Sequence, residues 1–337
     1  MLSHLEDNDK AIITLEQQPL KIDPKDPVGS LRSFKKFYSE NFGLKRTMVE
    51  SYISLKRNLL NEQPLPDRVV MGKDSFFFLG NNFNKLLNDS FGMEELSEFE
   101  LMATAQNIIS IRDRLAKNNI QFYIVLIPNK HRIYQVNIPF KIEQRPTRLQ
   151  QLNHYLKRTF DFSLISLEKE LIAEKGNAQL YYKTNTHWND LGAYIGYITV
   201  ITELNKTNKF HISDISNFEV TSEPIENDIA NMINLKIDEK GPVLEQLAVG
   251  SLLDSASNGT ANSKEIPNNP KKLVMYHDSF GYNWMKFFNT SFMDPTYVKG
   301  TLIDYNYIES LQPDIVIVEI VERNLIEVFK NKENHTP

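Results

Sequence analysis

No cysteine occurs among the 337 residues, which excludes a disulfide framework, a thiol nucleophile and a cysteine metal site. No basic block is long enough to predict a nucleic-acid surface, and the formal net charge is −5. No apolar run approaches the length of a membrane span. The chain can instead bury a large core, and its apolar content is typical of a globular protein. We expect chemistry that needs no thiol, no bound cofactor and no nucleic acid.

A serine at the end of an apolar run is the most informative feature of the sequence. The run Leu273–Tyr276 predicts a buried strand, which continues into His277-Asp278-Ser279-Phe280-Gly281 and a helical stretch from Tyr282 to Phe288. Open α/β sheets bind ligands at the carboxyl ends of their strands. Free N–H groups at a helix start can stabilise an oxyanion there. We predict that Ser279 is a nucleophile; the alternative is that it only caps a helix.

A histidine upstream of this serine is the candidate base. His187 follows polar residues and lies just before a helical pattern over Asn189–Asn205, for which Asn189 or Asp190 is a suitable N-cap. A serine nucleophile needs a base to accept its proton. We therefore predict that His187 is the base for Ser279, the alternative being an ordinary surface histidine.

Strand and helix patterns alternate along most of the chain. An α/β fold with a parallel sheet flanked by helices is the expected result. A capping box of Ser97 and Glu100 marks the clearest helix. The predicted elements are a pair of strands around a turn within Asp67–Leu79, helices over Ser97–Asn118, Thr147–Phe160 and Asn189–Asn205, and strands over Gln121–Pro128, Leu164–Leu167, Ala178–Tyr182 and Ile315–Ile320.

The N-terminal part of the chain differs from the rest. Met1–Pro27 has an irregular polar pattern, and two helical patterns follow, separated near Gly43. We predict an N-terminal lead-in and helical segment over residues 1–60 and one α/β domain over residues 61–331. Ser251–Pro270 is rich in Ser, Asn, Gly and Pro, which predicts a loop before the serine strand.

Four segments resemble a known family, and together they span Arg68 to Leu325. The chain resembles the SGNH-hydrolase-like proteins of polysaccharide O-acetylation, the AlgX and AlgJ group. This resemblance implies an SGNH-hydrolase-like fold with a permuted motif order, in which the histidine motif precedes the serine motif. The segments are Gly72–Gly80 (GKDSFFFLG, with Ser75 where a glycine is usual), Lys183–Ala193 (KTNTHWNDLGA), His277–Gly281 (HDSFG) and Pro313–Asn324 (PDIVIVEIVERN).

The resemblance implies an O-acetyltransferase or acetylesterase that acts on an extracytoplasmic polysaccharide through Ser279. The implied partners are a polysaccharide, an acetyl donor and other proteins of an acetylation or export complex. A periplasmic or other extracytoplasmic location is also implied, although Met1–Lys10 contains no apolar segment typical of a signal peptide. We therefore expect the sequence to be a mature or shortened form. The alternative function is a non-catalytic polysaccharide-binding member of such a complex.

One position departs from the family pattern. The family has aspartate two residues before the histidine, whereas this chain has Asn185. An amide oxygen can accept a hydrogen bond from His187 but contributes no charge, and in serine triads a neutral amide costs orders of magnitude in rate. Three explanations stay open: a serine–histidine dyad, another acid such as Asp190 or Asp278, or a weakened, inactive or engineered relative.

Further residues are candidates for substrate contacts. Asn129 and Arg132 follow the strand that ends at Pro128, so we predict an oxyanion donor and a substrate clamp, with a plain polar loop as the alternative. Trp188 and Tyr282, with Trp284, are predicted to form a sugar-stacking platform unless they are core residues. We predict that Glu322 and Arg323 form an internal ion pair. No metal site is predicted, because His187, His277 and Asp278 lack a further ligand at a defined spacing.

Overall fold

The computed structural model describes Asp23 and residues 26–41, 51–60, 62–141, 143–247 and 270–330. In this part of the chain the strands are β1 (Val69–Met71), β2 (Phe77–Leu79), β3 (Gln121–Ile127), β4 (Ile165–Ser166), β5 (Phe218–Pro224), β6 (Lys240–Gln246), β7 (Leu273–His277), β8 (Thr296–Lys299) and β9 (Ile315–Val321). The α-helices are α1 (Pro27–Asn41), α2 (Leu86–Ser90), α3 (Glu98–Ala116), α4 (Lys130–Ile133), α5 (Arg148–Phe160), α6 (Glu168–Glu174), α7 (Asp190–Leu204), α8 (Asp228–Asn231), α9 (Met285–Phe288), α10 (Tyr305–Leu311) and α11 (Leu325–Phe329). A π-helix covers Leu55–Leu59, and 3-10 helices cover Lys73–Ser75, Gln135–Asn137, Ile215–Asn217, Ser279–Trp284 and Glu322–Asn324.

A five-stranded sheet with the order β4-β3-β9-β7-β8 forms the centre of the fold. All neighbouring strands in it run parallel. The middle strand β9 is buried along its whole length, because helices cover both faces of the sheet. The predicted α/β class with a parallel sheet flanked by helices is therefore confirmed.

Alternate residues of the strands contribute to two cores, one on each face of the sheet. In β3, Val125 and Ile127 belong to the first core, whereas Ile124 and Leu126 belong to the second. This alternation follows from the period of two along a strand. The first core is rich in aromatic residues from α7 and from the segment after β7, so it supports the predicted serine turn directly.

The predicted helices begin where their capping residues lie. Ser97 and Glu100 form the capping box of α3, and Thr147 forms another with Gln150 at the start of α5. The side chain of Asn189 accepts a hydrogen bond from the Gly192 N–H and begins α7. Each cap satisfies N–H groups that have no partner within the helix. Side-chain capping therefore made these boundaries predictable.

The predicted strand over Ala178–Tyr182 is wrong. A single bridge between Tyr181 and Trp188 is formed there. Side chains satisfy the neighbouring backbone instead, because the Tyr134 hydroxyl accepts from the Leu180 N–H and the Asn189 amide donates to the Gln179 carbonyl. The antiparallel hairpin of β5 and β6 was not predicted, although it pairs along its full length.

The N-terminal segment is only partly described. Helix α1 exists, but its Leu31 and Phe34 are exposed rather than packed on the domain. Most of Met1–Pro27, the predicted break near Gly43 and the predicted loop Ser251–Pro270 lie outside the described residues, except for a few positions. The division at residues 60 and 61 stays a prediction. None of the described helices combines the length and apolar character that a membrane span requires.

Candidate active site

The predicted nucleophile lies on a tight turn at the carboxyl edge of the sheet. Strand β7 ends at His277, and Ser279 is the first residue of the 3-10 helix that follows. Asp278 caps this helix by accepting from the Phe280 N–H at 2.9 Å, and its other oxygen accepts from the Val321 N–H at 2.8 Å. The carboxylate therefore fixes the turn to β9. Both carboxylate oxygens thus bind backbone donors, and the alternative of Asp278 as the acid of a triad stays a prediction.

A buried glutamate supports the same turn from below. Glu319 of β9 is fully buried and accepts a hydrogen bond from the Asp278 N–H at 3.0 Å. Burial, together with the nearby Asp278 carboxylate, raises the pKa of Glu319 well above its usual value, which favours the protonated acid. A Cβ atom at Gly281 would lie 2.9 Å from the Glu319 Oε2 and 2.5 Å from the His277 Cβ, so only glycine fits. The signal for Glu319 was a charged residue inside an otherwise apolar strand.

Ser279 and His187 meet as the spacing of the motifs predicted. The Ser279 Oγ and the His187 Nε2 lie 2.8 Å apart. The Phe280 ring packs against the imidazole, with a centroid separation of 4.6 Å. Trp188 joins the two segments because its Nε1–H donates to the Phe280 carbonyl at 3.1 Å. The hydroxyl and the imidazole therefore have the geometry that proton transfer requires.

Asn185 occupies the position of the acid at the other side of the imidazole. Its Oδ1 lies 2.8 Å from the His187 Nδ1 and also accepts from the His187 backbone N–H at 2.8 Å. Its Nδ2 donates to the Glu226 carbonyl at 2.6 Å. A backbone N–H can only donate and a carbonyl can only accept, so these two contacts fix the amide orientation. The Nδ1 atom of His187 must then carry the proton, so Nε2 is the unprotonated nitrogen that faces the Ser279 hydroxyl.

A buried lysine organises the loop that carries Asn185 and His187. The Lys130 ammonium donates to the carbonyls of Tyr182, Lys183 and Asn185 at 3.1, 3.0 and 2.8 Å. Desolvation lowers the pKa of Lys130 to about 7. Three carbonyl dipoles thus converge on one cation, which fixes the backbone immediately before the histidine.

Carboxylates on the opposite side bind the N–H groups of the same loop. Glu239 accepts from the Lys183 and Thr184 N–H groups at 2.7 and 2.8 Å. Asp228 accepts from the Thr186 N–H at 2.8 Å and from the Thr186 hydroxyl at 2.6 Å. Neither carboxylate was predicted. Both lie near the hairpin of β5 and β6, and no sequence pattern connects that region to the histidine motif.

Asp190, the other predicted alternative acid, is engaged elsewhere. It forms an ion pair of 2.5 Å with Lys286 and accepts from the Leu244 N–H and the Asn283 amide. The first residue of α7 thus connects that helix to β6 and to the segment after β7. None of these contacts joins Asp190 to His187, so they do not support Asp190 as the acid beside the histidine.

The predicted sugar-stacking platform is wrong for the two tryptophans. Trp188 and Trp284 are both fully buried, with ring centroids 5.2 Å apart. The Trp284 Nε1–H donates to the Ala193 carbonyl at 2.8 Å. Their large apolar area belongs to the core between α7 and the serine turn. Tyr282 is 49% exposed and its ring contacts His277, so its substrate contact stays a prediction.

Arg132 is not placed to clamp a substrate. Its side chain is buried, forms an ion pair of 2.6 Å with Glu168 and donates to the Ser90 carbonyl at 3.0 Å. A buried guanidinium with a carboxylate partner is a structural element of the α4–α6 contact. The predicted contact of Arg132 with a substrate is therefore corrected.

The predicted ion pair of Glu322 and Arg323 is also corrected. The buried Glu322 carboxylate accepts from the backbone N–H and the amide of Asn129 at 3.1 and 3.3 Å. The Arg323 guanidinium instead lies 5.6 Å from the centroid of the Phe280 ring. Burial raises the pKa of Glu322 to about 7. The predicted oxyanion role of Asn129 stays a prediction.

A small recess lies beside the histidine loop, with a volume of about 200 Å³ that includes solvent-open space. Thr186 connects it to the imidazole, since the Thr186 hydroxyl lies 3.2 Å from the His187 Nδ1. Within the described ranges, no three histidine or carboxylate side chains are grouped so that they could bind a metal ion. The recess is lined by Leu79, Leu86, Asn129, Lys130, His131, Thr186, Ile229 and Arg323.

Fold and site together define a class: an α/β protein with a serine–histidine pair at the carboxyl edge of a parallel sheet. The family model described as SGNH hydrolase-like domain, acetyltransferase AlgX, matches residues 69–258, which is more than half of the chain. The chain belongs to this family. The resemblance found in the sequence is thereby confirmed.

Individual relatives are distant. The probable alginate O-acetylase AlgJ of Azotobacter vinelandii is 27% identical over 168 residues, which are 48% of this chain and 40% of that protein. The chain therefore matches less than half of the length of this curated relative. The O-acetyltransferase domain of Pseudomonas putida AlgJ superimposes with a TM-score of 0.52 at 16% identity, covering 77% of this chain and 92% of that domain. Bacillus cereus PatB1 with a sulfonyl adduct gives 0.53 at 16% identity, covering 78% of this chain and 100% of that one. These likenesses show the fold.

Proposed function

We propose that this protein is an O-acyltransferase that moves an acetyl group to or from a polysaccharide through Ser279. The observation that carries the proposal is the linked contact of Ser279 Oγ with His187 Nε2 and of His187 Nδ1 with Asn185 Oδ1, each 2.8 Å long. Such a chain of contacts provides a nucleophile, a base and an orienting group. Asn185 supplies orientation without charge.

The reaction begins with attack of the Ser279 oxygen on the carbonyl carbon of an acetyl ester. His187 takes the serine proton on Nε2 and returns it to the departing alcohol oxygen as the ester bond breaks. The Ser279 N–H, at the start of its 3-10 helix, has no partner within that helix and is the proposed donor to the oxyanion. Asn129 is proposed as a second donor. A sugar hydroxyl, or water in an esterase, then attacks the acetyl-serine with His187 again as base.

The substrate class is supported by the names of the family and its relatives. The family description contains acetyltransferase, and the Azotobacter relative is named a probable alginate O-acetylase. We propose a polysaccharide and an acetyl donor as partners of this chain. The permuted motif order, an extracytoplasmic location and further proteins of an acetylation complex are proposed with them.

Acetyl release from an aryl acetate tests the proposal. We expect release by the parent protein and none above background by Ser279→Ala or His187→Ala. A sulfonyl fluoride should add its mass to the peptide that contains Ser279, and Ser279→Ala should prevent the adduct while the far-ultraviolet circular dichroism stays unchanged. An adduct of equal yield in Ser279→Ala would place the chemistry on another residue.

A non-catalytic polysaccharide-binding function is the second candidate, and the neutral Asn185 favours it. The same measurements separate the two. Parent protein that gives neither acetyl release nor an adduct, but that binds a polysaccharide in a sedimentation assay, would support binding without catalysis.

A further inference from the structure

Asp228 lies close to the histidine although sequence reasoning gave it no role. It is the first residue of α8 and is half-buried beside the loop that carries His187. The loop is fixed to α8 through backbone contacts, because the Thr184 carbonyl accepts from the N–H groups of Ile229 and Ala230. The position of Asp228 relative to the loop is thus determined by several independent contacts.

Thr186 connects Asp228 to the imidazole. Its hydroxyl lies 2.6 Å from the Asp228 Oδ2 and 3.2 Å from the His187 Nδ1. A threonine hydroxyl has one proton and can accept as well as donate. Because the Asp228 carboxylate can only accept, the hydroxyl donates its proton there and turns a lone pair towards Nδ1. The Nδ1–H is therefore shared between the Asn185 Oδ1 and the Thr186 oxygen.

We propose that Asp228 is a positioning residue that supports His187 through the Thr186 hydroxyl, in place of the charge that Asn185 lacks. This inference rests on the proposed acyl transfer, in which His187 becomes a cation. The carboxylate polarises the hydroxyl, and the polarised oxygen stabilises the imidazolium. No proton moves to Asp228, and the serine proton stays on Nε2 until the alcohol leaves.

Burial raises the pKa of Asp228 above its usual value, and its hydrogen bonds act in the opposite direction. Oδ1 accepts from the N–H groups of Thr186 and Ile229 at 2.8 and 2.6 Å, and Oδ2 accepts from the Thr186 hydroxyl. The Lys130 charge also lowers the pKa of Asp228, although burial is the larger effect. Lys130 interacts in turn with Glu239 on the far side of the loop. Lys130 therefore acts on Asp228 directly, Glu239 acts on Lys130, and the His187 cation would form beside them during the reaction.

The test is an NMR titration of the His187 ring in the whole protein, which needs no turnover. The His187→Ala variant identifies the resonance. In Thr186→Val the hydroxyl is lost, and in Asp228→Asn the charge is lost, so the titration midpoint of His187 should fall by about 1 pH unit in each, a tenfold change in proton affinity. Thr186→Ser keeps the hydroxyl and should retain the parental midpoint. Asp190→Asn removes a buried carboxylate that is paired with Lys286 and should also leave the midpoint unchanged.

The Thr186 pair keeps the test decisive if Asp228→Asn does not fold. Equal midpoints in Thr186→Val, Thr186→Ser and the parent would overturn the inference. A midpoint that falls in Thr186→Ser as much as in Thr186→Val would do so as well, since the hydroxyl would then have no part in the effect. A fallen midpoint in Thr186→Val alone, in a protein without acetyl release, would support the relay while refuting the proposed function.

Acyl transfer adds a second measurement where it is observed. In the parent background, Thr186→Val should lower the rate by about tenfold. In the Asn185→Asp background a carboxylate already faces Nδ1 and stabilises the His187 cation. The same change should therefore lower the rate by a smaller factor there. Equal losses in both backgrounds would contradict the relay.

Discussion

Replacing Asn185 by aspartate exchanges one well-defined contact for another. The carboxylate would gain a charge at 2.8 Å from the His187 Nδ1, where the amide oxygen lies now. It would also lose the N–H that donates to the Glu226 carbonyl at 2.6 Å, and two oxygens would face each other there. The rate of acyl transfer therefore depends on which effect is larger.

The size of the gain follows from what the amide already does. In serine proteases a neutral amide at the acid position lowers the rate by about 10⁴, chiefly because it stabilises the wrong imidazole tautomer. Here the Glu226 carbonyl and the His187 N–H orient the amide so that the correct tautomer is kept. The missing charge alone remains to be recovered, and the proposed relay from Asp228 supplies part of it. We expect Asn185→Asp to raise the rate by about tenfold, which corresponds to about 1.4 kcal/mol.

The lost contact with Glu226 sets the cost. An unpaired acceptor costs about 1–3 kcal/mol when it is buried, but this bond lies at the surface, where water can replace the donor. We therefore expect a loss of about 1 kcal/mol or less in the free energy of unfolding, measured by urea denaturation.

Initial rates of aryl acetate cleavage for the parent, Asn185→Asp and Asn185→Ala check this reasoning under one set of conditions. Asn185→Ala is the matched control, because it removes the orienting oxygen without adding a charge, and its rate should fall by about 10². A slower Asn185→Asp protein with native stability would refute the idea that charge is what this position lacks. It would show that the orientation imposed by Glu226 is the larger effect.

Three further substitutions test the supports of the site. The pKa of Glu322 is raised from 4.5 to about 7, so between these pH values the folded state keeps a proton that the unfolded state releases. The free energy of unfolding should therefore fall by a few kcal/mol as the pH rises through this window. In a pH series of urea denaturations, Glu322→Gln should remove this fall. Gly281→Ala should destabilise the protein by about 2 kcal/mol and lower the rate, since its Cβ would collide with His277 and Glu319; a thermal melt equal to the parent's would contradict the close packing. Lys130→Met leaves three carbonyls of the histidine loop without their donor, so it should lower both the melting temperature and the rate of acyl transfer. A loss of stability without a loss of this rate would mean that the loop keeps its shape without Lys130.

Local rules accounted for much of the fold and for the contact between Ser279 and His187. The helix starts at Ser97, Thr147 and Asn189 depend on side chains within three residues of each start, which makes them visible in sequence. Ser279 and His187 were found because each follows a recognisable pattern at an element boundary. Parallel strands with both faces covered bring such boundaries to one edge of the sheet.

The residues that support the histidine loop could not be predicted, because each contacts the loop across a long separation in the chain. Lys130 binds carbonyls more than fifty residues away, and Asp228 contacts Thr186 across 42 residues. The prediction that Trp188 belongs to a sugar-stacking platform was wrong for a different reason. An aromatic residue beside such a motif can serve either the core or the site. Composition cannot separate those two uses.

The contacts of Asn185 bear directly on whether the chain is a weakened relative of its family. A simple loss of the acid would leave an amide free to turn its N–H₂ group towards the imidazole, which would hold the wrong tautomer. In this protein the Glu226 carbonyl accepts from the amide N–H, and the Thr186 hydroxyl donates to Asp228. With the proposed relay, the surroundings would supply separately the two things that an aspartate provides, orientation and charge.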